Sequence, residues 1–109
     1  MDGTAASKPA PIIDGLLDAM KDAVASVEAY GEDAKAAMAA RLAPGGKIDR
    51  KLLDVHQHSA HGLSWVITYV ETLRETAHWA ERMQAEGKFG EIEQLLSQIL
   101  FAEYCAQLV

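Results

Sequence analysis

Hydrophobic residues recur every three or four positions along most of the chain, beginning after Pro11. This spacing places them on one side of an α-helix, so the pattern predicts amphipathic helices. The first helix is predicted over residues 11–42, where a proline suits the first turn because its missing N–H would have no helical partner. Gly31 lies inside this helix and marks either a weak point or a close helix contact. The apolar positions are Ile12, Ile13, Leu16, Leu17, Met20, Val24, Val27, Ala34, Met38 and Leu42.

A proline and two glycines end the first helix. In "APGGK", residues 43–47, Pro44 cannot continue a helix, and the glycines can adopt the positive φ of a C-terminal turn. Asp49 is placed to cap a second helix, which is predicted over residues 49–85. This central helix would be about 54 Å long.

Two further glycines end the central helix. In "AEGKFG", Gly87 and Gly90 interrupt the pattern, and a third helix is predicted over residues 90–108. Because short connections between long helices favour antiparallel neighbours, we expect an all-α protein, an up-down-up three-helix bundle with a long central helix. The predicted apolar side of the third helix consists of Ile92, Leu95, Leu96, Ile99, Leu100, Tyr104 and Leu108.

Length and charge narrow the class of protein. The chain has 109 residues, so residues 11–109 are predicted to form a single helical domain, preceded by a flexible N-terminal lead-in over residues 1–10. Sixteen acidic residues against ten scattered basic ones argue against nucleic-acid or anionic-membrane binding. No segment reaches the roughly 18 uninterrupted apolar residues of a membrane span, and Cys105 has no second cysteine with which to pair. We therefore expect a cytoplasmic protein.

The central helix carries two stripes that both favour burial. When its residues are projected at about 100° each, one stripe forms the natural core face. This core stripe contains Leu52, His56, Leu63, Val66, Ile67, Val70, Leu73 and Ala77. Roughly opposite lies a second set, here called the aromatic stripe, which contains His58, His61, Trp65, Tyr69, Thr72 and Trp79.

A three-helix bundle of this size has difficulty covering both stripes. Either a neighbouring helix wraps around the side, or the aromatic stripe contacts something outside this chain. Exposed aromatic surface is typical of protein interfaces. The aromatic stripe is therefore the predicted interface, reached closely by another backbone near Gly62.

The histidines of "VHQHSAHGLSW", residues 55–65, do not form one cluster. Two ligands on one helix must lie three or four residues apart, so only His58 and His61 can converge on a metal. No third ligand is near them, and His56 belongs to the core stripe. Catalysis by His58 or His61 would also need a pocket and a second polar partner. We predict histidines that form hydrogen bonds beside an interface.

Two other features could indicate a metal site or a catalytic nucleophile, but the sequence supports them less well. Glu75 and His78 match the Glu-x-x-His element of di-iron bundles, but those sites need a second copy and further carboxylates. Cys105 lies among apolar residues without a basic neighbour, which is typical of an inert buried thiol. We expect no catalytic, cofactor-binding or metal-binding residue in this chain.

Three stretches resemble a known family: "HGLSWVITYVETLR", "WAERMQAEGKFGEIEQLL" and "FAEYCAQL". They are similar to the N-terminal helical segment that precedes the flavin-binding body in bacterial acyl-CoA dehydrogenase-like proteins. The resemblance covers residues 43–108. It implies an enzyme that encloses FAD and uses a glutamate base, but none of the family's flavin-contacting or catalytic segments lies in this sequence.

The resemblance implies that this chain corresponds to one segment of a larger enzyme. The closing "EYCAQLV" has no glycine, polar tail or proline, so the chain looks cut and not finished. A fragment, a separate small subunit and a free-standing relative remain open.

The leading hypothesis is an N-terminal or accessory helical domain of an acyl-CoA dehydrogenase-like enzyme, with FAD in the partner or the remaining domains. Its partner would be the dehydrogenase body or another protomer. The alternative is a homodimerisation module that uses Trp65, Tyr69 and Trp79, and a third possibility is a metal-binding bundle with His58 and His61 as ligands.

Overall fold

The computed structural model describes residues 12–108, and all regular structure within them is helical. The described helices are α1 (Leu16–Leu42), α2 (Arg50–Val55), α3 (Gln57–Ala85) and α4 (Glu91–Gln107). Helices α1, α3 and α4 pack against one another, which confirms the predicted all-α bundle. The lead-in predicted for residues 1–10 lies outside the described residues.

Helix α1 begins at Leu16 instead of following directly on Pro11. Gly15 precedes it with a φ of 68°, a left-handed conformation that cannot be part of a right-handed helix. The predicted end is correct, because the helix stops at Leu42 and the backbone N–H of Asp49 then donates to the carbonyl of Leu42 at 2.8 Å. This bond closes the turn that reverses the chain.

The predicted central helix is divided in two at His56. The Asp49 carboxylate caps α2 by accepting from the N–H groups of Lys51 and Leu52 at 2.8 and 3.3 Å, as its position predicted. Helix α2 then ends at Val55, and α3 starts at Gln57. None of the six residues of α2 is buried, so little packing holds the two helices as one straight rod.

Helices α1 and α3 are antiparallel, and side-chain contacts show their register. Lys21 lies 3.1 Å from Glu81, and the Glu28 carboxylate accepts from Arg74 Nε at 2.6 Å. Arg74 also pairs with Glu71, and the hydrogen bond to Glu28 is the main cause of its raised pKa. Ion pairs that stay partly open to solvent add little stability, so the two helices must be held together mainly by their apolar faces.

The core lies where three helices meet. Small side chains on α3, Ala77 and Ala80, allow close approach of the neighbouring helices. Of the predicted core stripe, Val70, Leu73 and Ala77 are buried, whereas Ile67 is 37% exposed. The principal core cluster consists of Leu16, Met20, Leu73, Ala77, Ala80, Phe89 and Phe101.

The face of α4 that enters the core agrees with the prediction in part, since Leu100, Tyr104 and Leu108 pack against the core as predicted. Ser97 and Phe101 are its buried residues. Ile92, Leu96 and Ile99, which were assigned to the apolar side, are instead 67%, 59% and 58% exposed. Helix α4 is apolar on nearly all sides, so its pattern could not indicate which side faces the other helices.

Replacing two of the glycines by alanine should change the stability of the protein in opposite directions. A Cβ at Gly31 would lie 3.6 Å from Val70 Cγ2, an ordinary contact, so Gly31→Ala should raise the free energy of unfolding by about 0.5–1 kcal/mol. Gly87 has a φ of 71°, so Gly87→Ala should lower it by about 1–2 kcal/mol. Urea unfolding followed by circular dichroism measures both. A less stable Gly31→Ala variant would show that α1 and α3 cannot accommodate a methyl group there.

Candidate interaction surface

The aromatic stripe is not uniformly exposed. Its first three residues, His58, His61 and Trp65, are exposed, whereas Tyr69, Thr72 and Trp79 are half-buried. The change from exposed to half-buried side chains occurs at Tyr69, from which point α4 lies beside α3. The structure shows that the second half of the stripe is partly covered within this chain and that the first half is exposed. Contact of the first half with another molecule stays a prediction.

Helix α4 and the connection that precedes it partly cover the second half of the stripe. The ring of Tyr69 lies 4.9 Å from that of Tyr104, and the ring of Trp79 meets that of Phe89 edge-on at 6.4 Å. Both distances lie in the range of favourable aromatic pairs. This half of the stripe therefore helps to hold α3 and α4 together, and only part of its surface is left for another molecule.

The first half of the stripe is ordered by a side-chain hydrogen bond. Trp65 Nε1–H donates to His61 Nε2 at 3.0 Å, and the two rings lie edge to face with centroids 6.2 Å apart. Trp65 also contacts Tyr69 at 6.0 Å, so a chain of rings runs from His61 to Tyr104 on α4. Trp65 is nevertheless 52% exposed. The indole is thus held in place while much of its surface stays open.

Hydroxyl groups on α3 form a regular series that the sequence interpretation missed. Ser64, Thr68, Thr72 and Thr76 each donate to the carbonyl four residues earlier, at 3.3, 2.9, 2.8 and 2.7 Å. Because the hydroxyl groups are satisfied within their own helix, this side of α3 can contact an apolar surface without leaving a buried donor unpaired. The constant spacing of four residues between these side chains could have indicated the series from the sequence alone.

The possible metal ligands do not form a larger group. The part of the chain that the structure describes contains no group of three or more His, Cys, Asp or Glu residues able to hold a metal ion. His61 Nε2 is already used as the acceptor for Trp65. Glu75 and His78 both lie exposed on α3.

Cys105 lines an apolar groove between α1 and α4. Its other lining residues are Ala23, Ser26, Val27, Tyr30 and Leu108. The thiol is half-buried, and burial raises its pKa. A raised pKa keeps the thiol protonated, which makes it a poor nucleophile.

Comparison with known proteins supports the resemblance found in the sequence. No family model matches the chain. A (2S)-methylsuccinyl-CoA dehydrogenase from Cereibacter sphaeroides is 46% identical over 98 residues, which are 90% of this chain and 18% of that enzyme. The resemblance to acyl-CoA dehydrogenases is confirmed. Since the chain spans less than a fifth of this relative's length, the similarity concerns one helical segment of an acyl-CoA dehydrogenase.

Over residues 12–108, no helix combines the length and the apolar character needed to cross a bilayer.

The hydrogen bond between His61 and Trp65 should fix the position of the indole. In a Trp79→Phe variant, which leaves Trp65 as the single tryptophan, His61→Ala should lower the fluorescence anisotropy of Trp65, because the indole N–H loses its acceptor and the ring moves more freely. His58→Ala should leave the anisotropy unchanged. Steady-state anisotropy measured at one pH tests both variants. Unchanged anisotropy after His61→Ala would contradict the assigned pair.

The raised pKa of Cys105 should slow its alkylation. At about pH 8 its thiolate fraction is smaller than that of a free cysteine, so iodoacetamide should react more slowly with the folded chain than with the same chain in denaturant. Mass spectrometry of timed samples measures both rates. Equal rates would show that burial does not protect the thiol.

Proposed function

We propose that this chain is an N-terminal or accessory helical region of an acyl-CoA dehydrogenase-like FAD enzyme. Its role is to assemble with the catalytic body or to cover it, and not to carry out chemistry. The observation that supports this is the 46% identity over 98 residues to a dehydrogenase that is more than five times longer than the matched segment. The proposed substrate class of the whole enzyme is an acyl-CoA ester, and its proposed location is the cytoplasm.

The proposed contact with the catalytic body is the exposed half of the aromatic stripe. Tryptophan is among the residues that contribute most to binding at interfaces. Trp65 is held by His61 on one side and by Tyr69 on the other, so little rotational freedom would be lost when a partner covers it. The self-satisfied hydroxyls of Ser64, Thr68 and Thr72 would extend this surface without a desolvation cost.

The depression at the second half of the aromatic stripe does not fit FAD. It is lined by Glu71, Thr72, Glu75, Thr76 and Trp79. The two carboxylates would repel the phosphates of FAD. The flavin is therefore proposed to lie in the catalytic body, and no step of its chemistry is assigned to this chain.

Homodimerisation through Trp65, Tyr69 and Trp79 is the second candidate. The exposure of Trp65 supports it, since an open indole can pack against its counterpart in another copy. Tyr69, however, already contacts Tyr104 of α4, and Trp79 already contacts Phe89 in the connection that precedes α4. They would contribute less to such an interface than their sequence positions suggest.

Co-expression with the acyl-CoA dehydrogenase polypeptide from the same source tests the proposal. Gel filtration monitored at the flavin absorbance should show this chain eluting with the flavoprotein. Trp65→Ser should weaken the association about tenfold or more, as expected for a central aromatic anchor. Tyr30→Ser is the matched control, because Tyr30 has similar exposure, 49%, but lies on α1.

The outcomes of this experiment distinguish association with the flavoprotein from homodimerisation. A stable 11.8 kDa monomer that never associates with the flavoprotein would contradict the proposal. A dimer without flavoprotein that Trp65→Ser converts to a monomer would favour the homodimerisation module. Equal loss of association in both variants would show that Trp65 is not the anchor.

A further inference from the structure

Helix α4 presents an aliphatic stripe on the side away from the core. Ile92, Leu96 and Ile99 follow one another at intervals of four and three residues, so they lie on one face over about two turns. All three are more than half exposed. None belongs to the aromatic stripe, which lies on α3, and none takes part in the contacts proposed above.

This stripe is more than an isolated exposed side chain. On its opposite face, α4 packs Phe101, Leu100 and Tyr104 against the core. A helix that is apolar on both faces is typical of one with neighbours on both sides. Within the described bundle, α4 has neighbours on one side only, which leaves the second face available for a partner.

The charges around the stripe indicate what kind of partner would fit. Glu91 directly precedes Ile92, and Glu103 occupies the next position of the same face after Ile99. Helix α4 contains no Lys or Arg, and the side chain of nearby Lys88 pairs with Glu86 at 3.6 Å. The aliphatic stripe is therefore bordered by carboxylates without a compensating cation on the same helix.

This arrangement disfavours two occupants. A second copy would place Glu91 and Glu103 close to the same residues of its partner, and like charges in such positions oppose association. An anionic lipid surface would be repelled for the same reason. A helix with lysines or arginines beside its own apolar stripe would gain both apolar burial and charge complementarity.

We propose that the outward face of α4 binds an amphipathic helix whose apolar stripe is flanked by lysine or arginine. Ile92, Leu96 and Ile99 supply the apolar contacts, and Glu91 and Glu103 select the partner by charge. The partner helix would lie along α4 and become a further helix of the bundle. This surface is independent of the one proposed for the catalytic body.

Binding of two synthetic peptides to the full chain tests this proposal. The first is an amphipathic helix of about four turns, with leucines on one face and lysines on both flanks. The second has glutamates in place of the lysines. Fluorescence anisotropy of the labelled peptides should show binding of the lysine peptide that weakens with added salt, and binding of the glutamate peptide at least about tenfold weaker.

Substitutions in the chain locate the binding surface. The double variant Leu96→Gln with Ile99→Gln should weaken binding of the lysine peptide about tenfold or more. Glu91→Gln with Glu103→Gln should reduce both the affinity and its salt dependence. Val55→Gln, which changes an exposed aliphatic residue of α2, and Trp65→Ser should leave peptide binding unchanged. Circular dichroism checks that each variant remains helical.

Several results would overturn the proposal. Failure of the lysine peptide to bind, or equal binding of both peptides, would contradict selection by the carboxylates. So would a dimer, detected by sedimentation velocity, that Leu96→Gln with Ile99→Gln converts to a monomer, because the occupant would then be a second copy. Since Trp65→Ser tests the other surface, failure here leaves the proposed function to be decided by its own experiment.

Discussion

The antiparallel pairing of α1 with α3, combined with the shortness of α4, determines which surfaces of this protein are buried. Helix α3 has 29 residues and α4 has 17, so at 1.5 Å per residue they are about 43 and 25 Å long. Helix α4 starts beside the C-terminal end of α3 and reaches Tyr69. Beyond that point α3 has α1 as its long neighbour, and its apolar side chains are only half-buried or exposed, as Leu63 and Ile67 show.

The length difference also explains why the aromatic stripe has two roles. Where α4 is present, Tyr69 and Trp79 serve as packing residues. Where α4 is absent, His61 holds Trp65 in an open position through a hydrogen bond within the same helix. A side chain fixed before binding loses less entropy when it is covered. The bundle thus presents an ordered aromatic group at the place where it has fewest neighbours of its own.

Similarity to a segment of an acyl-CoA dehydrogenase gives these surfaces a context. The proposed role in a larger enzyme requires surfaces for packing, and this chain exposes two surfaces of different chemistry. One is aromatic and partly hydrogen-bonded, on α3, whereas the other is aliphatic and bordered by carboxylates, on α4. Their different chemistry favours two different partner elements, because an acidic border and an indole select different neighbours.

The sequence by itself determined the all-α class, the end of α1 at Leu42 and the cap at Asp49, because periodicity, proline and capping residues act locally. Local signals also placed Trp65 on the face opposite the core. Only the tertiary structure decided that Ile92 and Ile99 face outward, since α4 is apolar on nearly all sides and its neighbours choose the buried face. The division of the aromatic stripe likewise depends on how far α4 extends along α3, a long-range property that no local pattern encodes.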